Sequence, residues 1–176
     1  HPAGYAAALD AAGAPQCDQV REVTALSPSM GWTAAGVVSN VPDLKAFAQA
    51  LAGGSLVSGR SADAQNTTVG AGSSWLGYGL GVQVVGPLRG GAAAVPGYLT
   101  AMYADPSSGL TIVAAVNNST PGAGFAQALA QRLASIVSKV PAVKKGAKAV
   151  TALPWSEDQA VAAMKAAAPC PTPPAK

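Results

Sequence analysis

Histidine is almost absent from these 176 residues: there is one, and it is residue 1. A Ser-His-Asp triad needs an imidazole held between a nucleophile and a carboxylate, so a lone terminal histidine argues against that machinery. Cysteine is nearly as scarce, with Cys17 near the start and Cys170 near the end. One His and two distant Cys do not make the three- or four-ligand cluster a zinc site takes, so no metal or other cofactor is expected. Charged residues amount to 11% and the net charge to +3, too little to argue for a nucleic-acid partner. Much of the basic character sits in Lys139, Lys144, Lys145 and Lys148, beside Pro141 and Gly146 and without aromatics on which bases would stack. That stretch reads as a solvated tail, with attraction to an anionic envelope polymer or membrane surface as its functional rival. Long apolar runs are missing as well. Hydrophobic residues make up 49%, with alanine the largest part, and no run approaches the roughly 18 residues of a membrane span. A soluble chain with no transmembrane segment is expected. No initiator Met, signal sequence or lipidation motif is visible at His1-Pro2, so the chain reads as a processed product or a piece of something longer.

What is present is a block of strand-like sequence. Tyr78–Val85, Ala93–Ala104 and Leu110–Asn117 read as three strands. The last two are joined by Asp105-Pro-Ser-Ser-Gly109, where Pro presets φ and Gly accepts φ > 0, which predicts an antiparallel hairpin. Leu110, Ile112, Ala114 and Val116 alternate with Thr111, Val113, Ala115 and Asn117; neither set is charged, so both faces should be covered. Helices are predicted to supply the cover. The first runs from about Val41 to Leu51, with Ser39 or Asn40 as N-cap, Pro42 and Asp43 in the first turn, and Gly53-Gly54 as the stop. It presents Leu44, Phe47, Ala48 and Leu51 on one face. The second runs from about Gly124 to Val140 with Phe125, Leu129, Leu133, Ile136 and Val140 at helical spacing, ended by Pro141. Gly53 to Trp75 reads as loop with one helical turn. The predicted fold class is α/β (α+β), an antiparallel sheet flanked by helices, over residues 1–140. Residues 141–176 read as a basic and Pro-rich extension with a short helix over 156–168. Both cysteines have polar, Pro-containing neighbours, and spacing alone leaves a disulfide and two free thiols equally open.

Catalytic constellations are not evident from spacing. Ser-x-x-Lys, Tyr-x-Asn and Ser-x-Asn occur nowhere in the chain. Gly77, Gly79 and Gly81 make a loose glycine pattern, but no helix follows to receive a phosphate, so close sheet packing is the better reading.

Five stretches, in order, resemble one family. They are His1-Pro-Ala-Gly-Tyr5, Ala34-Ala-Gly-Val-Val-Ser-Asn-Val-Pro-Asp-Leu44, Tyr78-Gly-Leu-Gly81, Val95-Pro-Gly-Tyr98 and Leu110-Thr-Ile-Val-Ala-Ala-Val-Asn-Asn118. Together they look like the second half of the class C type serine β-lactamases and D-alanyl-D-alanine carboxypeptidases, the penicillin-binding protein superfamily. The resemblance covers roughly residues 1–140 and implies the C-terminal half of a partial β-lactamase/transpeptidase-like fold. It also implies acyl-Ser chemistry on a D-alanyl peptide, β-lactam or ester, with the nucleophilic Ser, its Lys and the Tyr supplied by an N-terminal half. The family's third motif, Lys-Thr-Gly or His-Thr-Gly, would fall on Gly91-Ala92-Ala93. The backbone N–H that helps form the oxyanion hole would belong to Ala94. Here the chain departs from the pattern, since Gly, Ala and Ala replace a cation, a hydroxyl and a glycine. Arg89, two residues upstream, would compensate for the lost cation or be an exposed loop residue. Trp32 lies near where some relatives place an aromatic on the cavity wall. The resemblance implies a secreted or cell-envelope location in a bacterium, and in that setting the only two cysteines are expected to pair as Cys17–Cys170. A sheet edge or apolar face should need cover from a partner, either the N-terminal half of the same domain or a second copy. The competing class is a non-catalytic envelope protein that keeps the fold and binds a small molecule, a peptide or a partner in the groove.

Overall fold

A computed structural model describes residues 2–140 and 152–170. The elements run β1 (Tyr5–Leu9), β2 (Pro15–Glu22), a 3-10 turn (Pro28–Gly31), α1 (Trp32–Ala35), α2 (Val41–Ala52), α3 (Gly59–Asn66), β3 (Val69–Gly70), β4 (Leu76–Tyr78) and β5 (Gln83–Val85). They continue with β6 (Leu88–Val95), β7 (Tyr98–Ala104), β8 (Thr111–Val116), α4 (Gly122–Val137) and α5 (Glu157–Ala167).

Glycine and proline cut the strand-like block more finely than its apolar pattern predicts. Tyr78–Val85, expected as one strand, turns back on itself. Leu76–Tyr78 pairs antiparallel with Gln83–Val85 across a turn where the Gly79 N–H donates to the Val82 carbonyl and Gly81 takes φ +73°. Ala93–Ala104 likewise folds at Pro96-Gly97, where Gly97 takes φ +91° and Val95 faces Tyr98. Its first limb reaches back to Leu88 as β6. The pairing of β7 with β8 is as expected, from Leu99 opposite Val116 to Ala104 opposite Thr111. The main sheet is antiparallel with order β3-β4-β5-β6-β7-β8.

Side chains alternate between two helical layers. Leu99, Ala101, Tyr103 and Ile112 pack under α4 through Ala126, Ala130 and Ala134, while Ala104 and Met102 on the opposite face meet Ala48 and Ala52 of α2. Full burial of Leu88 and Leu99 stabilises by roughly 1.5–3 kcal/mol each. Tyr103 is buried too; its hydroxyl donates to Gln83 Oε1, and Gln83 Nε2 donates to Gln127 Oε1 at 2.8 Å. Burial pushes the Tyr103 phenol well above its usual pKa, so it stays a neutral donor. The α2 cap is Asn40, whose side chain accepts from the Asp43 N–H, and α2 ends at Gly53 as predicted. Phe47, placed on the buried face by its spacing, is instead exposed.

Two elements are not legible as expected. Within 53–75, α3 is two turns long rather than one, started by Ser58, whose side chain accepts from the Ser61 N–H. In the β1–β2 hairpin, Ala6 to Ala8 are all half-buried and Cys17 to Glu22 all exposed, so neither strand has a burial alternation to reveal it. Its turn is built locally: Asp10 Oδ1 accepts from the N–H groups of Ala12 and Ala14, and Gly13 takes φ +81°.

The C-terminal helix forms where predicted, with a capping box between Ser156 and Gln159. Lys139 Nζ lies 2.6 Å from Glu157, and its hydrogen bond and charge hold that carboxyl below the usual carboxylate range. Lys144, Lys145 and Lys148 lie outside the described residues. Cys17 and Cys170 form the expected disulfide, Cα–Cα 5.5 Å, 153 residues apart in sequence. Closing a loop of that length restricts the unfolded chain by roughly 4–5 kcal/mol in the chain-entropy account.

Gly90 marks the tightest point of the sheet. A Cβ there would sit 1.9 Å from the Met102 carbonyl oxygen and 2.8 Å from Tyr103 Cα, all backbone that cannot step aside. Gly90→Ala is expected to destabilise by about 1–3 kcal/mol, read as a lower urea midpoint. Gly91→Ala, with nothing within 4 Å of the added carbon, is expected to stay within about 0.5 kcal/mol of the parent.

Candidate functional site

Strand β6 is paired unevenly. On one side β7 follows it from Arg89 to Val95, whereas β5 on the other side reaches only Leu88, Arg89 and Gly90. From Gly91 to Val95, therefore, β6 has a strand neighbour on one side only among the described residues. The flanking pair of a two-residue hairpin, here Val95 and Tyr98, exchanges both hydrogen bonds, and bonding then alternates along the ladder. Ala93 and Gly91 thus bond to β7, while the N–H and C=O of Ala92 and Ala94 point outward, away from it. Ala93 and Ala94 are exposed, and Gly91 and Ala92 half-buried. The result is an open backbone edge with nothing larger than a methyl group from Gly91 to Ala94.

Arg89 stands at the root of this edge. The sequence reading allowed it to be a loop residue, but it is the second residue of β6, half-buried, opposite Val84 on one side and Ala104 on the other. Strand alternation puts it on the same face as Gly91 and Ala93. Trp32 sits on a separate element, at the start of α1, 82% exposed and with φ +45°, a left-handed conformation uncommon for a bulky residue. The five positions from Arg89 to Ala94 other than Gly90 are thus gathered on one strand, and Trp32 is not part of it.

The far end of the edge is pinned by residues the sequence reading singled out for other reasons. The Gly97 N–H donates to Ser119 Oγ at 2.9 Å, and Tyr98 Oη donates to the Pro2 carbonyl at 2.8 Å. Gly4 lies against the Tyr98 ring so closely that a Cβ would come within 2.6 Å of it. Tyr5 and Asn117 complete the contact: the Tyr5 N–H donates to the Asn117 carbonyl at 3.0 Å, and Asn117 Nδ2 donates to the Ala3 carbonyl at 2.9 Å. Three of the five stretches quoted above therefore meet at the Pro96-Gly97 turn. Ser119, one residue past the last stretch, escaped the reading because nothing in a lone serine after Asn-Asn signals that it caps a distant turn.

Chemically, the edge offers hydrogen-bonding backbone and little else. Leu88 to Val95 carry no nucleophile and no general base, and Arg89 is the strand's one cation. Among the described residues no group of three or more His, Cys, Asp or Glu is placed to hold a metal ion. No helix of the described residues is long and apolar enough to cross a membrane.

Comparison with known proteins places the family and the fold. The Beta-lactamase family model matches residues 2–136. No curated protein matches the chain. The crystal structure of a D-stereospecific amidohydrolase from Streptomyces sp. superposes with a TM-score of 0.58 at 22% identity, over 69% of this chain and 36% of that one. At that identity the likeness concerns the fold, and the chain spans little more than a third of that protein's length. With an antiparallel sheet flanked by helices and a family match over most of its residues, the chain belongs to the beta-lactamase family.

Proposed function

We propose that this chain is the C-terminal part of a β-lactamase-like serine hydrolase of the cell envelope, acting through an acyl-Ser intermediate on a D-alanyl peptide, β-lactam or ester. One observation carries the reading: the N–H and C=O groups of Ala92 and Ala94 point away from β7, on the side of β6 where no strand of the described residues pairs with it. An extended acyl substrate lies along such an edge as an added strand, and the Ala94 N–H is the donor for its oxyanion, a role that needs no side chain. Arg89, Gly91, Ala92 and Ala93 form the adjoining wall. The nucleophilic Ser with its Lys and Tyr belongs to an N-terminal half of the same domain, because no Ser-x-x-Lys or Tyr-x-Asn occurs here. Trp32, Val37 and Val38, 74–88% exposed, together with exposed Val41 and Phe47, supply the apolar surface on which that half packs. The disulfide suits an oxidising, extracytoplasmic compartment.

A fluorescent penicillin and a fluorophosphonate test the proposal. The chain on its own is expected to take up neither label. The protein that includes the N-terminal half is expected to be labelled at a serine preceding residue 1. A longer protein that folds and remains unlabelled by both would replace this reading with the second one, a non-catalytic envelope protein that uses the β6 edge to bind peptide.

A further inference from the structure

The family match ends at residue 136, yet the chain continues into a segment that packs at the start of β6 and is disulfide-bonded to the hairpin rooted at its end. At one end Pro154 and Trp155 lie on the Gly86-Pro87 turn that leads into β6; a Cβ on Gly86 would meet Pro154 Cδ at 2.7 Å and Trp155 Cζ3 at 3.0 Å. Trp155 also stacks obliquely on Trp75, ring centroids 5.3 Å apart, so it holds the β3–β5 meander against α4. From there α5 runs along α4 to Cys170, which is bonded to Cys17 on β2. The β1–β2 hairpin in turn roots at the Pro96-Gly97 turn, the other end of β6, through Gly4, Tyr5 and Ser119. One covalent link thus joins the segment that caps the start of β6 to the segment that caps its end.

That link is also the segment's distal fixing. Helix α5 has 11 residues, too few to persist alone in water, and Ala160 is the only one of them fully buried. Its first turn is secured by Trp155 and by Lys139 on Glu157. Its last turn leads to Cys170, half-buried, whose partner Cys17 is exposed on the hairpin. We propose that Cys17–Cys170 is a redox-operated clasp, whose reduction by a dithiol frees the far end of α5 from α4 and loosens the caps on β6 while the sheet stays folded. In the reduction a thiolate of the dithiol attacks one sulfur of the pair, the other leaves as a thiolate and takes a proton, and the second thiol of the reagent resolves the mixed disulfide. Two electrons and two protons end on Cys17 and Cys170, and the reagent leaves as its own cyclic disulfide.

Hydrogen exchange by mass spectrometry on the native protein, with and without dithiothreitol, reads this directly. Peptides covering 157–168 are expected to exchange at least about tenfold faster after reduction and to become far less protected than those from 98–104 and 111–116, which lose only the share of protection that the missing cross-link removes from the whole fold. Cys17→Ser, made and measured without reductant, is expected to match the reduced protein. The proposal is overturned if exchange over 157–168 does not change or if dithiothreitol leaves the bond intact under native conditions. It is equally overturned if, in the reduced protein, the sheet peptides exchange as fast as 157–168, since the bond would then hold the whole fold rather than a clasp.

Discussion

Trp155→Ala is expected to destabilise the oxidised protein by about 3–5 kcal/mol, the range for removing a large buried aromatic. Trp155 is 8% exposed and sits at the junction of α4, the Gly86-Pro87 turn and Trp75. Its Nε1 donates to the Gln131 carbonyl and to Ser135 Oγ, both at 3.1 Å. Truncation empties the pocket and removes a donor from two buried acceptors, and each effect is a named source of large losses. Trp155→Phe separates them, because it keeps most of the ring and loses the N–H; about 1–2 kcal/mol is expected. Urea denaturation of the three proteins checks this, and a loss below about 1 kcal/mol for Trp155→Ala would mean that the segment around it adds nothing to the core.

The second large effect follows from the proposed hydrolase reading and concerns substrate choice in a protein that includes the proposed N-terminal half. Along the β6 edge, Gly91, Ala92 and Ala93 offer no cation and no hydroxyl to a substrate carboxylate. Each missing charge-assisted hydrogen bond is worth about 1.5–3 kcal/mol, or roughly ten- to a hundredfold in transition-state binding. A neutral ester loses nothing by this, since it has no carboxylate to hold. The expected result is a kcat/KM for a neutral p-nitrophenyl ester that exceeds that for a carboxylate-bearing β-lactam by at least about tenfold. Arg89 is the one cation on the strand, so Arg89→Ala should widen the gap if it reaches the carboxylate. Efficient β-lactam hydrolysis that Arg89→Ala leaves unchanged would show that the side chains of this edge do not set specificity.

How much of this was legible depended on whether the signal was local. The α2 boundaries followed from Asn40, Asp43 and Gly53, each acting on its immediate neighbours, and the β7–β8 hairpin followed from Asp105 to Gly109, where the Gly109 N–H closes on the Asp105 carbonyl. The two Gly-containing turns inside the strand block were misread because apolar residues run through them without a break. At Pro96-Gly97 the apolar pattern of Ala93–Ala104 continues across the turn that ends β6. The β1–β2 hairpin carried a turn signal in Asp10 and Gly13, but its exposed strands had no face to alternate. At the site, a resemblance placed Gly91 to Ala94, while the pinning of Gly97 by Ser119 and of Tyr98 by Pro2 is tertiary and has no sequence signature. Trp155 carries no sequence signal of its burial, because it lies in a stretch that reads as tail.

The alanines between helices and sheet give the interior a one-sided tolerance to change. Ala48, Ala126, Ala130 and Ala134 are at most 1% exposed, and alanine has no rotamers to freeze when the chain folds. Shrinking such a residue to glycine removes a single methyl group and opens almost no void, so its cost, about 1 kcal/mol, comes from the helix backbone rather than from the packing. Enlarging it pushes an entire helix off the strands it lies on. Sequence drift in this core should therefore run among the smallest residues, and a valine or leucine at any of the four positions would have to be matched by a loss of volume directly across the layer.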